Sequence, residues 1–455
     1  MPKSNRLRSL LGSGPLLITL GLGGVVTAVA VAQPALNLPG ASGGAITDSP
    51  KEVIDQVWQI VYRDYLDSSG TYTDDRWRQL RKDLLKKSYG GEEESYEAIR
   101  GMLDSLDDPY TRFLDPKEFK EMRIDTSGEL MGVGIQISLD KVTKELIVVS
   151  PIEGTPASRA GVQSKDVIVS IDGTSTKGMT TEDAVKLIRG PEGTEVILGL
   201  RRKGDVLNVP LTRARIEINA VKKALNTSPD GSKIGYIRLK QFNANASREM
   251  RDAIQELEDQ DADGYVLDLR SNPGGLLEAS VDIARQWLNE GIIVSTRTRE
   301  GIRDVRRATG SAITDKPMVV LINQGSASAS EIVSGALQEN DRAQLIGKTT
   351  FGKGLVQAVR GLSDGSGMTV TIAKYLTPNG TDIHKNGIEP DIEAEIPGKE
   401  LEDFKVEYLG TNKDSQYKVA EKALLKSLKL SELTVDENAK DPETGSENQY
   451  DQQAL

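Results

Sequence analysis

Three serines, Ser326, Ser328 and Ser330, sit two apart in "NQGSASASEIVSGALQEN", residues 323–340, between an apolar run and a helical pattern. Ile332, Val333, Ala336 and Leu337 form one stripe of that helix, so the serines fall in a strand-to-helix turn that Gly325 permits to be sharp. A hydroxyl there lies at the carboxyl edge of a sheet, where α/β proteins place their sites. It also lies at the positive end of a helix, which favours an oxyanion. The same residues suit helix capping, and this segment alone does not decide between the two roles.

A serine needs a base to be nucleophilic at neutral pH. The chain has no cysteine and one histidine, His384, in the turn-rich stretch "NGTDIHKNGIEPD", which no motif links to the serines. The other candidate is Lys353 in "GKTTFGKGLVQ". Gly352 and Gly354 allow close backbone packing there, and Phe351, Leu355 and Val356 can exclude water. Burial disfavours an ammonium, lowers its pKa and frees a lone pair. Most lysines are solvated surface charges, and spacing does not remove that alternative. A second strand-to-helix crossing, "LDLRSNPGGLLEAS", carries Gly274 and Gly275, whose backbone N–H groups could face the serines or could simply make a turn.

The elements that position these groups follow from pattern. Residues 51–112 carry helical spacing (Val53, Val57, Ile60 or Val61, Tyr65) and predict a small N-terminal helical domain. From about Gly128 to Arg215, within a domain set at residues 118–214, the chain changes to short β runs between Gly-rich turns, with helical pieces in "SPIEGTPASRAGV" and "TTEDAVKLIRG". Residues 215–400 alternate apolar strands with amphipathic helices, the rhythm of a mostly parallel sheet covered by helices. The expected class is therefore multi-domain α/β. Residues 401–455 form a C-terminal extension, and 431–455, with seven acids against one lysine, read as disordered.

Lys3, Arg6 and Arg8 precede an uncharged run over residues 10–32, and "VTAVAVAQPA" offers small residues for cleavage after Ala32. That pattern predicts export, with residues 1–32 a signal peptide or a membrane anchor and 33–50 a Pro/Gly/Ser linker. A formal charge of −11 argues against a nucleic-acid partner, and a single histidine excludes a multi-histidine metal centre.

The β-rich segment, with "MGVGI" followed by "GTPASRAGVQSKDVIVSIDG", closely resembles a bacterial-type PDZ domain. That resemblance makes Met131, Gly132, Val133, Gly134 and Ile135 the loop that receives a peptide's terminal carboxylate, with the peptide adding as a strand. The run from Asn323 to Gln357 resembles the signature of the carboxyl-terminal processing proteases, Ser–Lys peptidases with a PDZ domain ahead of the catalytic core, over roughly residues 51–396. It implies Ser328 as nucleophile, Lys353 as base and Gln357 as the residue orienting the lysine. It further implies an oxyanion hole from the N–H groups of Ala329 and Gly274, and no cofactor or metal. From PDZ-gated relatives it puts a coupling role on Arg189. The implied partners are exported proteins with exposed C-termini, in the periplasm or thylakoid lumen, near a membrane. The photosynthetic branch that this sequence resembles includes maturation of the photosystem II D1 precursor, and other members serve general protein turnover. Two rivals remain: a PDZ binding protein with an inert core, and another Ser–Lys hydrolase such as a signal peptidase, which lacks the PDZ.

Overall fold

The computed structural model describes residues 50–438 except 141–142, 218, 399 and 401–403. The expected signal or anchor segment, residues 33–49 of the linker and residues 439–455 lie outside the described residues. Among those described, no helix is long and apolar enough to cross a membrane.

Helices Pro50–Asp64, Asp74–Lys86 and Glu92–Asp104 open the fold. Their apolar stripes (Val53, Ile54, Val57, Val61, Ile99, Leu103) do not close on themselves. They pack on Ala358, Met368 and Val370 of the catalytic region. The strand Arg112–Leu114 follows and pairs antiparallel with Gly367–Leu376. The helical segment therefore shares a core with the catalytic region, where the sequence predicted a domain of its own. Amphipathic spacing shows that a face is buried but not what buries it.

Helix Pro116–Ser127 starts at Asp115, whose carboxylate accepts the N–H groups of Lys117 and Glu118 at 2.9 Å, with Pro at the first position. It ends at Gly128, whose φ of +70° is left-handed, and leads to a neck of two antiparallel strands, Glu129–Gly132 and Ala214–Glu217. Between them lies the β-rich domain. Its strands run in the order Ile135–Leu139, Leu146–Pro151, Val167–Ile171, Glu195–Arg202, Asp205–Thr212, with Thr174–Ser175 beside the third, every pairing antiparallel. Val148, Ile168, Leu198 and Leu200 are fully buried in its core, with Ala184 of the helix Thr181–Ile188.

The catalytic region has two sheets. One runs Val221–Thr227, Lys233–Leu239, Gly264–Asp268, Met318–Ile322, Gln344–Gly347, Ile392–Glu393, parallel except for its first pair. Gly264–Asp268 and Met318–Ile322 are buried at every residue, as expected of strands covered on both faces. Helices Ala246–Glu258, Leu277–Arg285 and Ala329–Glu339 cover one face. Helix Ser415–Asn438 covers the other through Tyr417, Ala420 and Leu424. That helix runs to Asn438, into the acidic segment 431–455 that composition marked as disordered.

The second sheet is entirely antiparallel: Arg112–Leu114, Gly367–Leu376, Ile292–Thr298 and Gly301–Arg307 in order, with Leu355–Gly361 also on Gly367–Leu376. The expectation of one mostly parallel sheet missed it. Its hairpins have short turns that a β/α rhythm does not reveal.

Candidate active site

The strand Met318–Ile322 ends and the helix Ala329–Glu339 begins around the three serines, all fully buried. Ser326 Oγ donates to Leu269 O at 2.8 Å and accepts the Asn323 N–H at 3.0 Å. Ser330 Oγ donates to Asn272 O at 2.9 Å, and that carbonyl also accepts the Ala327 N–H at 3.0 Å. Two serines thus fasten this turn to the neighbouring one. Ser328 does not: its Oγ is buried, makes no hydrogen bond to that turn, and lies beside the Tyr375 hydroxyl. Its backbone has φ 59° and ψ −113°, a conformation that costs an L residue ~1–3 kcal/mol and recurs at functional sites. Ser328 occupies the N-cap position but leaves its Oγ for chemistry.

The facing turn presses against this elbow. Gly274 has φ +101°, and a Cβ there would lie 2.8 Å from Ser328 Cβ, 3.0 Å from Ala329 N and 2.7 Å from Ala327 O. Only a glycine permits that approach. Ala329 is the first helical residue, whose N–H has no intrahelical acceptor. The Gly274 N–H, by contrast, donates to Asn272 Oδ1 at 2.9 Å. In this conformation it is directed into its own turn rather than toward Ser328.

Lys353 precedes the strand Leu355–Gly361 and is 2% exposed. Burial lowers its pKa from the ordinary 10.5 to about 8, with the Arg112 charge acting in the same direction and Glu331 and Asp108 opposing it. Its Nζ sits 4.9 Å from the centroid of the Tyr110 ring. Gln357, also buried, reaches Thr371 Oγ1 through Nε2 at 3.4 Å, and its Oε1 has no partner. The hydrogen bonds that would join Ser328, Lys353 and Gln357 are therefore not formed, as is common where catalytic contacts tighten only around substrate.

What joins the backbones of Ser328 and Lys353 is Glu331. This buried carboxylate accepts the Ser328 N–H at 2.8 Å, the Lys353 N–H at 2.9 Å, the Gly352 N–H at 2.7 Å and the Thr350 hydroxyl at 2.5 Å. Burial raises its pKa against these four donors. Sequence reasoning missed it, although Glu three residues after a serine is a capping-box pattern. Tyr110, Arg112 and Asp108 were missed because they come from the helical segment, some 240 residues from Lys353 in sequence. Tyr375 was missed as well; its hydroxyl donates to the Lys353 carbonyl, and burial pushes its pKa far up. His384 packs on the lysine loop, since a Cβ on Gly354 would lie 2.8 Å from His384 N. Its ring stands edge-on to Tyr110 at 6.5 Å, on the side of the site where Lys353 lies over the same ring.

The predicted carboxylate loop is split by the fold. Met131 and Gly132 belong to the neck strand, paired with Arg215 and Ala214. Val133 and Gly134 make the turn, and Ile135 opens the next strand. Gly134, at φ +78°, lies where a Cβ would meet Thr155 at 2.3 Å. Arg189 follows the helix Thr181–Ile188, and its charge acts on Asp125 of helix Pro116–Ser127.

The sequence profile of peptidase family S41 matches residues 233–394, and that of the PDZ domain matches residues 147–202. A carboxyl-terminal-processing protease of Synechocystis sp. is 47% identical over 355 residues, covering 78% of this chain and 82% of that protein. The chain belongs to peptidase family S41. It is a serine-type peptidase of the C-terminal processing group, carrying a PDZ domain. A carboxyl-terminal-processing protease of Picosynechococcus sp. is 43% identical over 392 residues, covering 86% of this S41 peptidase and 92% of the relative. The solved structure of a photosystem II D1 C-terminal processing protease aligns with TM-score 0.51 and 40% identity, covering 76% of this chain and 93% of that one.

Proposed function

We propose that this peptidase removes C-terminal extensions from exported precursors by a Ser328–Lys353 dyad, with the photosystem II D1 precursor as its substrate in the periplasm or thylakoid lumen. One observation carries the dyad: a buried hydroxyl on a strained elbow and a buried lysine with pKa about 8 stand on backbone segments held by the same carboxylate. Neutral Lys353 takes the Ser328 proton, Ser328 attacks the carbonyl, and water later hydrolyses the acyl-enzyme. Gln357 orients the lysine once substrate closes the gap. The Ala329 N–H holds the oxyanion, joined by the Gly274 N–H on release from Asn272, each good donor contributing ~3–4 kcal/mol. The D1 substrate comes from the name of the structural relative.

Residues 131–135 receive the substrate's terminal carboxylate, and Arg189 couples the PDZ domain to the site. Contacts between helix Pro116–Ser127 and the 241–244 turn support that coupling. The Arg189 charge is felt at Asp125, the Asp125 carbonyl accepts from Gln241, and Thr126 O accepts the Ala244 N–H. Phe242, between them, donates its N–H to Gly274 O at 2.9 Å.

Ser328→Ala and Lys353→Ala should each cut peptide cleavage by ~10³-fold or more with the fold intact. Normal cleavage by either ends the dyad. The D1 assignment is tested by asking which precursor keeps its extension when Ser328→Ala replaces the natural enzyme. Accumulation of many unrelated truncated proteins, with D1 mature, would favour general turnover.

A further inference from the structure

A cleft of about 430 Å³ opens beside Lys353, between the 107–110 loop of the helical segment, the lysine loop and the 384–385 turn. Its walls include Tyr110, Phe351, Leu355 and His384. Phe351 is 57% exposed, an aromatic side chain left without cover. Its neighbours are ready to receive an apolar group. Tyr110 and His384 form a T-shaped corner at 6.5 Å and 70°, and Leu355 is buried at its back. The Asp108 carboxylate is already engaged by the Tyr110 N–H at 2.9 Å and the Thr111 hydroxyl at 2.7 Å, so it does not turn the cleft into a cation site. Ser68 and Ser69 also line the cleft, and its exposed charges are Asp107 and Lys385. The volume suits a peptide side chain with its adjoining backbone.

Its position follows from the chemistry. When Ser328 Oγ bonds to the scissile carbonyl, its proton passes to Lys353. When the C–N bond breaks, that proton goes to the leaving nitrogen. The leaving nitrogen must therefore lie against Nζ, and Nζ lies over Tyr110, a wall of the cleft. We infer that this cleft is the leaving-side subsite, which takes the residue directly after the scissile bond and favours an apolar side chain there, aromatic rings included. Phe351 is the specificity-determining wall. The inference rests on the Ser328–Lys353 reading.

The test uses the full enzyme and peptides identical up to the scissile bond, with Phe, Leu, Ala or Asp immediately after it. Wild type should cleave the Phe and Leu peptides with kcat/KM roughly tenfold or more above the Asp peptide. Phe351→Ala should shrink that ratio to within about threefold, mainly through KM. A peptide aldehyde that matches only the acyl side should bind wild type and Phe351→Ala equally, forming its adduct on Ser328. A normal adduct with flat selectivity in wild type, or with selectivity unchanged in Phe351→Ala, overturns the subsite alone. No adduct on Ser328 in wild type overturns the dyad and the subsite together.

Discussion

Lys353 shows how a residue's environment becomes a rate. Because burial and Arg112 bring its pKa to about 8, the neutral amine is scarce at pH 6 and dominant at pH 9.5. The acylation rate should climb through a single transition centred near pH 8, and a flat profile from pH 6 to 10 would contradict a lysine base. Stability has its own signature. Below about pH 8 the folded protein must hold a buried charge, whereas between 8 and 10.5 the unfolded chain binds the proton that the folded one does not. Stability from this group therefore rises with pH across that window. Lys353→Met should stabilise the protein at pH 7 by on the order of 3 kcal/mol, with the gain fading toward pH 10.5, measured by denaturant unfolding. Glu331→Gln presents an amide NH₂ where four donors converge, so activity should fall by ~10²-fold in kcat with little change in KM. A large KM effect alone would place Glu331 outside the positioning of the dyad.

At the scale of elements, the two strand-to-helix turns are one unit. Asn272 O holds Ala327 and Ser330, the Ser271 N–H donates to Asn323 Oδ1 at 2.8 Å, and Asn272 Nδ2 donates to Leu239 O at 2.9 Å. Gly274→Ala would bring a methyl within 3.0 Å of the elbow and impose a backbone that alanine resists. Catalysis should drop far more than thermal stability, and equal losses of both would argue for simple unfolding. Just upstream, Arg270 pairs with Asp268 at 2.6 Å and with Asp414 at 2.7 Å, all nearly or fully buried. This network fastens helix Ser415–Asn438 to the strand that feeds the Gly274 turn. Removing Arg270 leaves two buried carboxylates without this cation, so Arg270→Ala should cost ~3–5 kcal/mol, read from denaturant midpoints.

At the scale of the molecule, the PDZ domain is attached by a neck of two paired strands, while the helical segment is built into the catalytic core. Replacing residues 133–213 by a short turn should leave cleavage of short peptides measurable but abolish the preference for a free over an amidated C-terminus. A preference that survives would put carboxylate recognition elsewhere.

Residue types and local spacing indicated the N-terminal helices, the strand-to-helix turns and most strands, because those are properties of neighbours in sequence, and family resemblance marked the PDZ segment and the long serine-lysine motif. They also narrowed the base to Lys353 or His384. They did not reveal the antiparallel sheet, the role of Glu331, or the wall of Tyr110, Arg112 and Asp108 around the lysine. Those rest on contacts between segments tens to hundreds of residues apart. The chemistry of an amine depends on its dielectric surroundings and nearby charges, and only folding assembles these. That one hydroxyl stays out of the bonds between the two turns while its two neighbours are tied down is likewise invisible in "SASAS", where all three serines read alike.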